Sequence, residues 1–323
     1  MNLLVAGGAG YIGSVFVEEA CDAGHNVTVY DSLVEVHREA VDKRARFIQG
    51  DLADHDATLA ALKESEAEAV LHFAGFIMVG ESMKNPTKYF RNNVSNSIEL
   101  LDACVNADVK KIVFSSTAAV FGMPDRVPIE EDFPKQPINA YGDSKLMFES
   151  LLRWYKQIHG IDYVAFRYFN AAGASPTRGE AHKIETHLIP NILKVPAGEK
   201  ESCSIFGTDY DTPDGTCIRD YIHVQDLASA HLLALKPEAS GHYNLGNGEG
   251  YSVREVIDTC ERVTGEKIKV IEEPRRPGDP PRLIASSKRA IEELGWKPAH
   301  DKLEDIVSSA WQWHREHPNG YAS

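Results

Sequence analysis

A doubly wound α/β fold is what this sequence predicts: a parallel sheet covered by helices on both faces, with a smaller C-terminal α/β lobe beside it. Three observations predict it. Short apolar runs alternate with longer helical stretches through the first half of the chain, and those runs end on glycines, acids or hydroxyl residues. After about Asn170 the rhythm gives way to sequence rich in Gly, Pro, Thr and Asp. Runs that are apolar throughout, rather than alternating, belong to strands buried on both faces, which is the mark of a parallel sheet.

The elements follow in order. Leu3 to Ala6 is the first strand, and glycines and a helical stretch to about Ala23 come after it. Val27–Tyr30 ends at Asp31, Phe47–Gln49 runs through Gly50 to Asp51, and Ala69–Phe73 ends at Ala74-Gly75. Lys111–Phe114 ends at Ser115-Ser116-Thr117, and Tyr163–Phe166 runs into Arg167-Tyr168-Phe169-Asn170. In such sheets ligands bind at the carboxyl ends of the strands, where these polar residues fall. Residues 171–220 carry only short apolar runs, 221–246 return to helix and strand, and beyond them helices alternate with Pro-rich loops. Leu303, Ile306, Val307, Ala310 and Trp311 fall on one face of a closing helix. The division expected is therefore 1–170 plus about 221–246 for the sheet, and 171–220 plus about 247–323 for the second lobe.

Composition narrows the partners. The chain has 323 residues and a net charge of −14, which leaves no electrostatic footprint for a nucleic-acid backbone or an anionic bilayer. An anionic small ligand needs local counter-charges. Five scattered cysteines without a CxxC give neither a zinc ribbon nor a redox pair, and fit a reducing compartment. The first basic residue is Arg38, and no apolar run reaches spanning length. A cytoplasmic location is expected, with no membrane partner. No HExxH occurs, His72 and His223 read as packed histidines, Trp311 and Trp313 as packing, and no metal is expected.

Gly7-Gly8-Ala9-Gly10-Tyr11-Ile12-Gly13 follows the first strand and opens the first helix, satisfying both GxGxxG and GxxGxxG. A pyrophosphate needs bare backbone against it and a helix N-terminus aimed at its charge. Asp31 ends the next strand, where an acid accepts from a ribose 2′-hydroxyl and repels a 2′-phosphate; this Rossmann pattern points to NAD rather than NADP. Asp51, ending the third strand, is placed either on the adenine or as a helix N-cap. Tyr141 and Lys145 form a YxxxK pair on one helix face, the ammonium beside a phenol that it favours in the ionised form. Thr117 supplies a strand-end hydroxyl upstream.

Hydroxyl, Tyr and Lys downstream of the glycine loop form the short-chain dehydrogenase/reductase constellation. The chain resembles the UDP-glucose 4-epimerases of the extended branch of that family. The likeness rests on VAGGAGYIGS (5–14), HFAG (72–75), VGES (79–82), NNV (92–94), FSS (114–116), YGDSK (141–145), RYFN (167–170) and HLIP (187–190). It continues through DGTCIRDYIHVQDLA (214–228), YNLGNG (243–248) and PRRPGD (274–279). Departures are Ile77 where the family often has Lys, Thr117 where Ser is common, and His187 where some members have Asn.

The resemblance implies an isomerase of carbohydrate and galactose metabolism, inverting C4 of UDP-galactose and UDP-glucose through a transient 4-keto sugar and bound NADH. It implies Tyr141 as base, Lys145 as its partner and ribose contact, and Thr117 on the sugar oxygen. NAD would lie along the glycine loop (Gly7, Gly10, Tyr11, Ile12, Gly13), Asp31, Ser32, Asp51, Leu52, Phe73, Ala74, Gly75, Asn92 and Phe169. The UDP-sugar would meet Asn170, His187, Leu188, Ser204, Ile205, Phe206, Arg219, Tyr221, Arg276 and Asp279. Leu283, four residues past Asp279, would border the hexose, and a homodimer is implied as well. Ala118-Ala119 after the strand-end Thr offers no proton-transfer group, which disfavours a 4,6-dehydratase. Action on UDP-N-acetylglucosamine or a UDP-uronic acid, and a non-catalytic NAD-binding regulator, stay open as alternatives.

Overall fold

The structure, a computed structural model, describes residues 1–276 and 278–321; Pro277, inside the PRRPGD block, lies outside them. The chain order begins β1 (Asn2–Ala6), α1 (Tyr11–Asp22), β2 (Asn26–Asp31), β3 (Arg46–Gln49), α2 (His55–Glu64) and β4 (Ala69–His72). Two short helices, α3 (Val79–Ser82) and α4 (Pro86–Phe90), lead through a wide π-turn at Arg91–Ser95 into α5 (Asn96–Asn106). Then come β5 (Lys111–Thr117), α6 (Ala140–His159), β6 (Asp162–Tyr168), β7 (Asn170–Ala172), α7 (Leu188–Leu193), β8 (Cys203–Phe206), β9 (Ile218–Arg219) and β10 (Tyr221–His223). The chain closes with α8 (Val224–Leu233), β11 (Gly241–Leu245), β12 (Tyr251–Ser252), α9 (Val253–Thr264), β13 (Val270–Glu273), β14 (Arg282–Leu283) and α10 (Leu303–Glu316).

Seven strands form one sheet in the order β11-β6-β5-β4-β1-β2-β3, every pairing parallel. The order reverses between β1 and β4, so a crevice opens there at the strands' carboxyl ends. Successive side chains of a strand point to opposite faces, and β1 shows the consequence. Leu3 and Val5 join the core built with α1 and α8, whereas Leu4 and Ala6 join the one built with α2, α5 and α6. A third core lies apart from the sheet, where Ile189, Ile192, Val256, Ile257, Leu303, Ile306 and Val307 bring α7, α9 and α10 together. The apolar face expected of the last helix is thus buried, and Trp313 packs beneath Gly179, where a Cβ would fall 2.2 Å from its ring.

The acids of the 214–228 block tie the lobes together. Asp220, fully buried, accepts N–H bonds from Asn247, Gly248 and Ala285, and burial pushes its carboxyl up to about 7. Asp226 accepts from the backbone of Ala299 and His300. His72 and His223 are packed as expected, bonded to the hydroxyls of Ser97 and Ser309.

Candidate active site

The first turn after β1 is close-packed. A Cβ on Gly7, whose φ is +81°, would fall 2.4 Å from the Ala74 nitrogen, and one on Gly13 would fall 2.3 Å from the Gly7 carbonyl oxygen. Bare backbone is therefore required here. Helix α1 begins at Gly10 with no side-chain cap and no acid in its first turn, which leaves its first N–H groups and the positive end of its dipole facing the crevice. Asp31 ends β2 beside it. Its carboxylate accepts the N–H groups of Ala9 and Leu33, each at 3.0 Å, so it also braces the glycine loop. Burial raises its pKa, against the pull of those N–H bonds. Asp51 is not a helix cap: the side chain of Asp54 caps α2, while Asp51 accepts the N–H of Ala53.

These residues line one cavity of about 440 Å³ at the switch point. Gly7, Gly10, Tyr11, Ile12, Gly13, Asp31, Ser32, Asp51, Leu52, Phe73, Ala74, Gly75, Asn92 and Phe169 all border it, as do Thr117, Tyr141 and Lys145. The uncapped helix end, the crowded glycines and the strand-end acid fit a dinucleotide.

The chemistry-bearing side chains come from two elements held in close register. Asn139 caps α6 by accepting the Gly142 N–H at 2.8 Å, and a Cβ on Gly142 would fall 2.6 Å from the Ala119 carbonyl. That approach brings Tyr141 beside the end of β5. The Thr117 hydroxyl oxygen accepts the Ala119 N–H at 3.1 Å, leaving its proton for Tyr141. Lys145 is almost wholly buried and donates to the Ser115 carbonyl at 2.9 Å. Burial lowers its ammonium to about 8. The sequence led to the expectation of a phenol depressed by its lysine. Instead burial dominates and raises Tyr141, opposed by the hydrogen bond from Thr117.

Two supports escaped the sequence reading. Glu149, two helical turns beyond Tyr141, holds Arg167 in a buried bidentate pair at 3.0 and 2.7 Å and accepts the Ser116 hydroxyl at 2.6 Å, locking β5, β6 and α6 together. Asn93, in the π-turn, exchanges bonds with both backbone groups of Phe76 and donates to Ser144. Glu149 at one residue per turn on the Tyr–Lys face was a readable signal; the π-turn had none.

The residues expected on the UDP-sugar divide. Asn170 and His187 border the cavity; Leu188, Ser204, Ile205, Phe206, Arg219, Tyr221, Arg276, Asp279 and Leu283 do not. Arg219 is ion-paired with Asp279. The Arg276 guanidinium lies over the Phe206 ring at 3.8 Å rather than free in the crevice. Leu188 opens α7 at the border of the third core, and Ser204 lies on β8 opposite Ile271. Ile205 and Tyr221 are buried in that core, so Ile205 offers a ligand only its main chain. Leu283 pairs in register with Arg219 and packs against a small cluster of Val120, Phe121, Ile129 and Phe133.

His187, at the cavity border, has its ring held by two carboxylates. Its Nδ1 lies 2.6 Å from Glu180 Oε1 and 2.7 Å from Glu185 Oε1. Burial works against the charged ring, but the two carboxylates hold its pKa well above the ordinary value. His182 completes the group, its Nδ1 3.0 Å from Glu180 and 3.8 Å from Glu185. The expectation of no metal rested on missing HExxH and CxxC patterns, and E-x-H-x-x-E-x-H passed unread.

A nucleotide cradle at the switch point, with a hydroxyl–Tyr–Lys set at its inner end, defines a dinucleotide-binding enzyme of the oxidoreductase-like Rossmann class. The model of the NAD dependent epimerase/dehydratase family matches residues 3–246, and the chain belongs to that family. It is 50% identical to a UDP-glucose 4-epimerase of Streptococcus mutans, over 99% of each chain. It resembles the structure of UDP-glucose 4-epimerase from Brucella ovis in complex with NAD, with a TM-score of 0.93 at 44% identity, covering 96% of this chain and 97% of that one. The enzyme from Bifidobacterium longum, solved with NAD+ and UDP, gives 0.94 at 38% identity, covering 99% and 100%.

Proposed function

We propose that this chain interconverts UDP-galactose and UDP-glucose by inverting C4 of the hexose, as an NAD-dependent isomerase. The observation that carries the reading is the meeting of Thr117, Tyr141 and Lys145 at the inner end of a nucleotide cavity in a chain 50% identical, over its length, to a UDP-glucose 4-epimerase. NAD, when bound, supplies the hydride acceptor and donor at C4. The glycine loop, Asp31, Ser32, Asp51, Leu52, Phe73 to Gly75, Asn92 and Phe169 hold it. Tyr141 takes the 4-hydroxyl proton and returns it after the keto sugar has turned. Thr117 donates to the phenol oxygen and favours its ionised form, and the Lys145 ammonium adds positive charge nearby. His187, Leu188, Ser204 to Phe206, Arg219, Tyr221, Arg276 and Asp279, with Asn170, anchor the nucleotide, while Leu283 borders the hexose. Residues 1–170 with about 221–246 serve the cofactor, and 171–220 with about 247–323 the UDP-sugar; the separate third core supports that division.

Among the described residues no helix is long and apolar enough to cross a membrane. All five cysteines are free, and we place the protein in the cytoplasm. Met147, Trp154 and Ile158 stand exposed along one stripe of α6, a face suited to a homodimer. Incubation with UDP-galactose followed by chromatography tests the function: a product of equal mass, co-eluting with UDP-glucose, is expected. Loss of water would mean a dehydratase, and absence of turnover with NAD bound would mean a regulator.

A further inference from the structure

We propose that Glu180, His182, Glu185 and His187 form a site for a divalent transition-metal cation of the zinc type, which fastens the strap 173–187 over the cofactor cavity. One ligand atom from each of the four lies within 4.8 Å of all the others. A tetrahedral cation with bonds of about 2.0–2.2 Å needs its ligand atoms about 3.4 Å apart. The distances from the two Nδ1 atoms to the carboxylates, 2.6 to 3.8 Å, straddle that value. The side chains of Glu180 and Glu185 are only 6% and 4% exposed, so two carboxylates are taken out of water together and face two imidazole nitrogens. Two imidazoles and two carboxylates are a donor set that zinc accepts, whereas magnesium and calcium ask for oxygen throughout.

The placement gives the site its use. Residues 173–187 join β7 to α7 with no helix or strand of their own, so side chains must hold the segment in shape. The segment is laced across the crevice. The Tyr11 hydroxyl donates to the Gly173 carbonyl at 2.6 Å, Lys183 donates to the Val34 carbonyl at 2.8 Å, and His37 Nε2 meets the Ala181 carbonyl at 3.2 Å. His182 packs edge-on against Tyr11 of the glycine loop. His182, Lys183, Ile184, Thr186 and His187 form a wall of the cavity, which Ser32, Val34, Glu35 and Val36 also line. A cation at the four ligands fixes that wall. Resting on the reading of the cavity as an NAD site, we expect it to slow cofactor release.

The test begins with the full chain stripped by a chelator and titrated with Zn2+ alone by calorimetry. One equivalent per chain is expected, weakened by roughly 100-fold or more in His182→Ala and in Glu185→Gln, since losing a ligand costs at least as much as losing its outer partner. Circular dichroism checks that both variants fold. X-ray absorption on the zinc-loaded wild type should give four nitrogen or oxygen neighbours at about 2.0 Å, with outer-shell scattering from two imidazole rings. No saturable binding by the wild type, or equal binding by both folded variants, would overturn the site and leave an ion-pair cluster. Release of bound NAD should be at least about fivefold slower with zinc than without, a common size for coupling between sites. Unchanged release would overturn the strap role and leave the metal site standing. Neither stoichiometry nor absorption needs turnover, so failure of the epimerase reading would be seen separately.

Discussion

The residues proposed for the cofactor and those proposed for the nucleotide sugar are held in place by different means. On the sheet side the contacts are set by backbone: crowded glycines, an uncapped helix end and the carboxyl ends of β1, β2 and β4. On the lobe side most of the residues proposed for the nucleotide sugar lie outside the cavity, and the charged ones already have partners, with Arg219 paired to Asp279 and Arg276 laid on Phe206. Backbone geometry leaves a glycine pattern in the sequence that has one structural meaning. A charged side chain leaves only a residue type, and which partner it takes depends on the rest of the fold. The two sides should therefore break differently when mutated.

The largest effect is expected where the two sides meet. Tyr141→Phe removes one oxygen and should cut conversion of UDP-galactose at least about 10²-fold, the usual scale for loss of a general base. Bound cofactor, read by mass spectrometry of the denatured protein, should stay near the wild-type level. Near-normal turnover would remove Tyr141 from the chemistry. Lys145→Met should slow turnover and shift the active limb upward in pH. The working form of Tyr141 is the deprotonated one, its fraction falls as pH drops below the phenol's pKa, and loss of a nearby cation raises that pKa further. In the wild type the support fades above about pH 8, where Lys145 itself loses its proton.

Next in size is a pair of glycine changes on the backbone-built side. Gly13→Ala puts a Cβ 2.3 Å from the Gly7 carbonyl oxygen, whereas Gly80→Ala meets nothing within 4 Å. Overpacking costs about 1–3 kcal/mol, so Gly13→Ala should weaken NAD binding about tenfold to 100-fold. Gly80→Ala should leave titrated affinity unchanged. Equal effects would mean that the loop's close packing does not shape the cofactor site.

How much was legible follows the same division. Six of the seven parallel strands were readable one by one because continuous apolar runs such as Ala69–Phe73 allow few other fates, the seventh was covered only by the return to helix and strand in 221–246, and the capless helix start at Gly10 was written in the glycines. Asp31 was readable as a strand-end acid, but its second job, bracing the loop through Ala9 and Leu33, needed coordinates. The depressed phenol expected from YxxxK does not appear because a helical spacing tells nothing of burial, which here raises the phenol against the Thr117 hydrogen bond. HLIP alone does not reveal Glu180 and Glu185, upstream, turning back onto the His187 ring.

A smaller effect is expected at Asp31. Asp31→Asn keeps an acceptor for one N–H of the loop and removes the charge that repels a 2′-phosphate, so the ratio of NADP to NAD affinity should rise at least about fivefold, since two like charges about 4 Å apart repel by roughly 1 kcal/mol even in water. Extraction of the native cofactor should return mainly NAD(H). Recovery of NADP(H) would reverse the reading of this acid.

The smallest effect is expected on the lobe side, at Leu283. Its backbone is fixed by pairing with Arg219, and its side chain is half-buried against Val120, Phe121, Ile129 and Phe133, with Phe169 of the cavity wall packed on the same cluster. Leu is smaller than Tyr and has no hydrogen-bonding tip. Some room for an acetamido group is expected beside it, but its apolar end leaves that group unpaired, which disfavours binding. UDP-N-acetylglucosamine should therefore turn over weakly beside UDP-galactose and UDP-glucose. Leu283→Tyr should abolish the weak activity, and Leu283→Ser should improve it by a few-fold, within the range that one or two methylenes command in a pocket. The serine variant also gives up apolar burial against the cluster and should melt slightly lower, by the loss of about 1–2 kcal/mol. Measuring kcat/KM for both sugars on the three proteins separates the two consequences, because a change in stability alone lowers both activities together. A constant ratio across the series would mean that Leu283 faces the small apolar cluster only and that the hexose lies elsewhere.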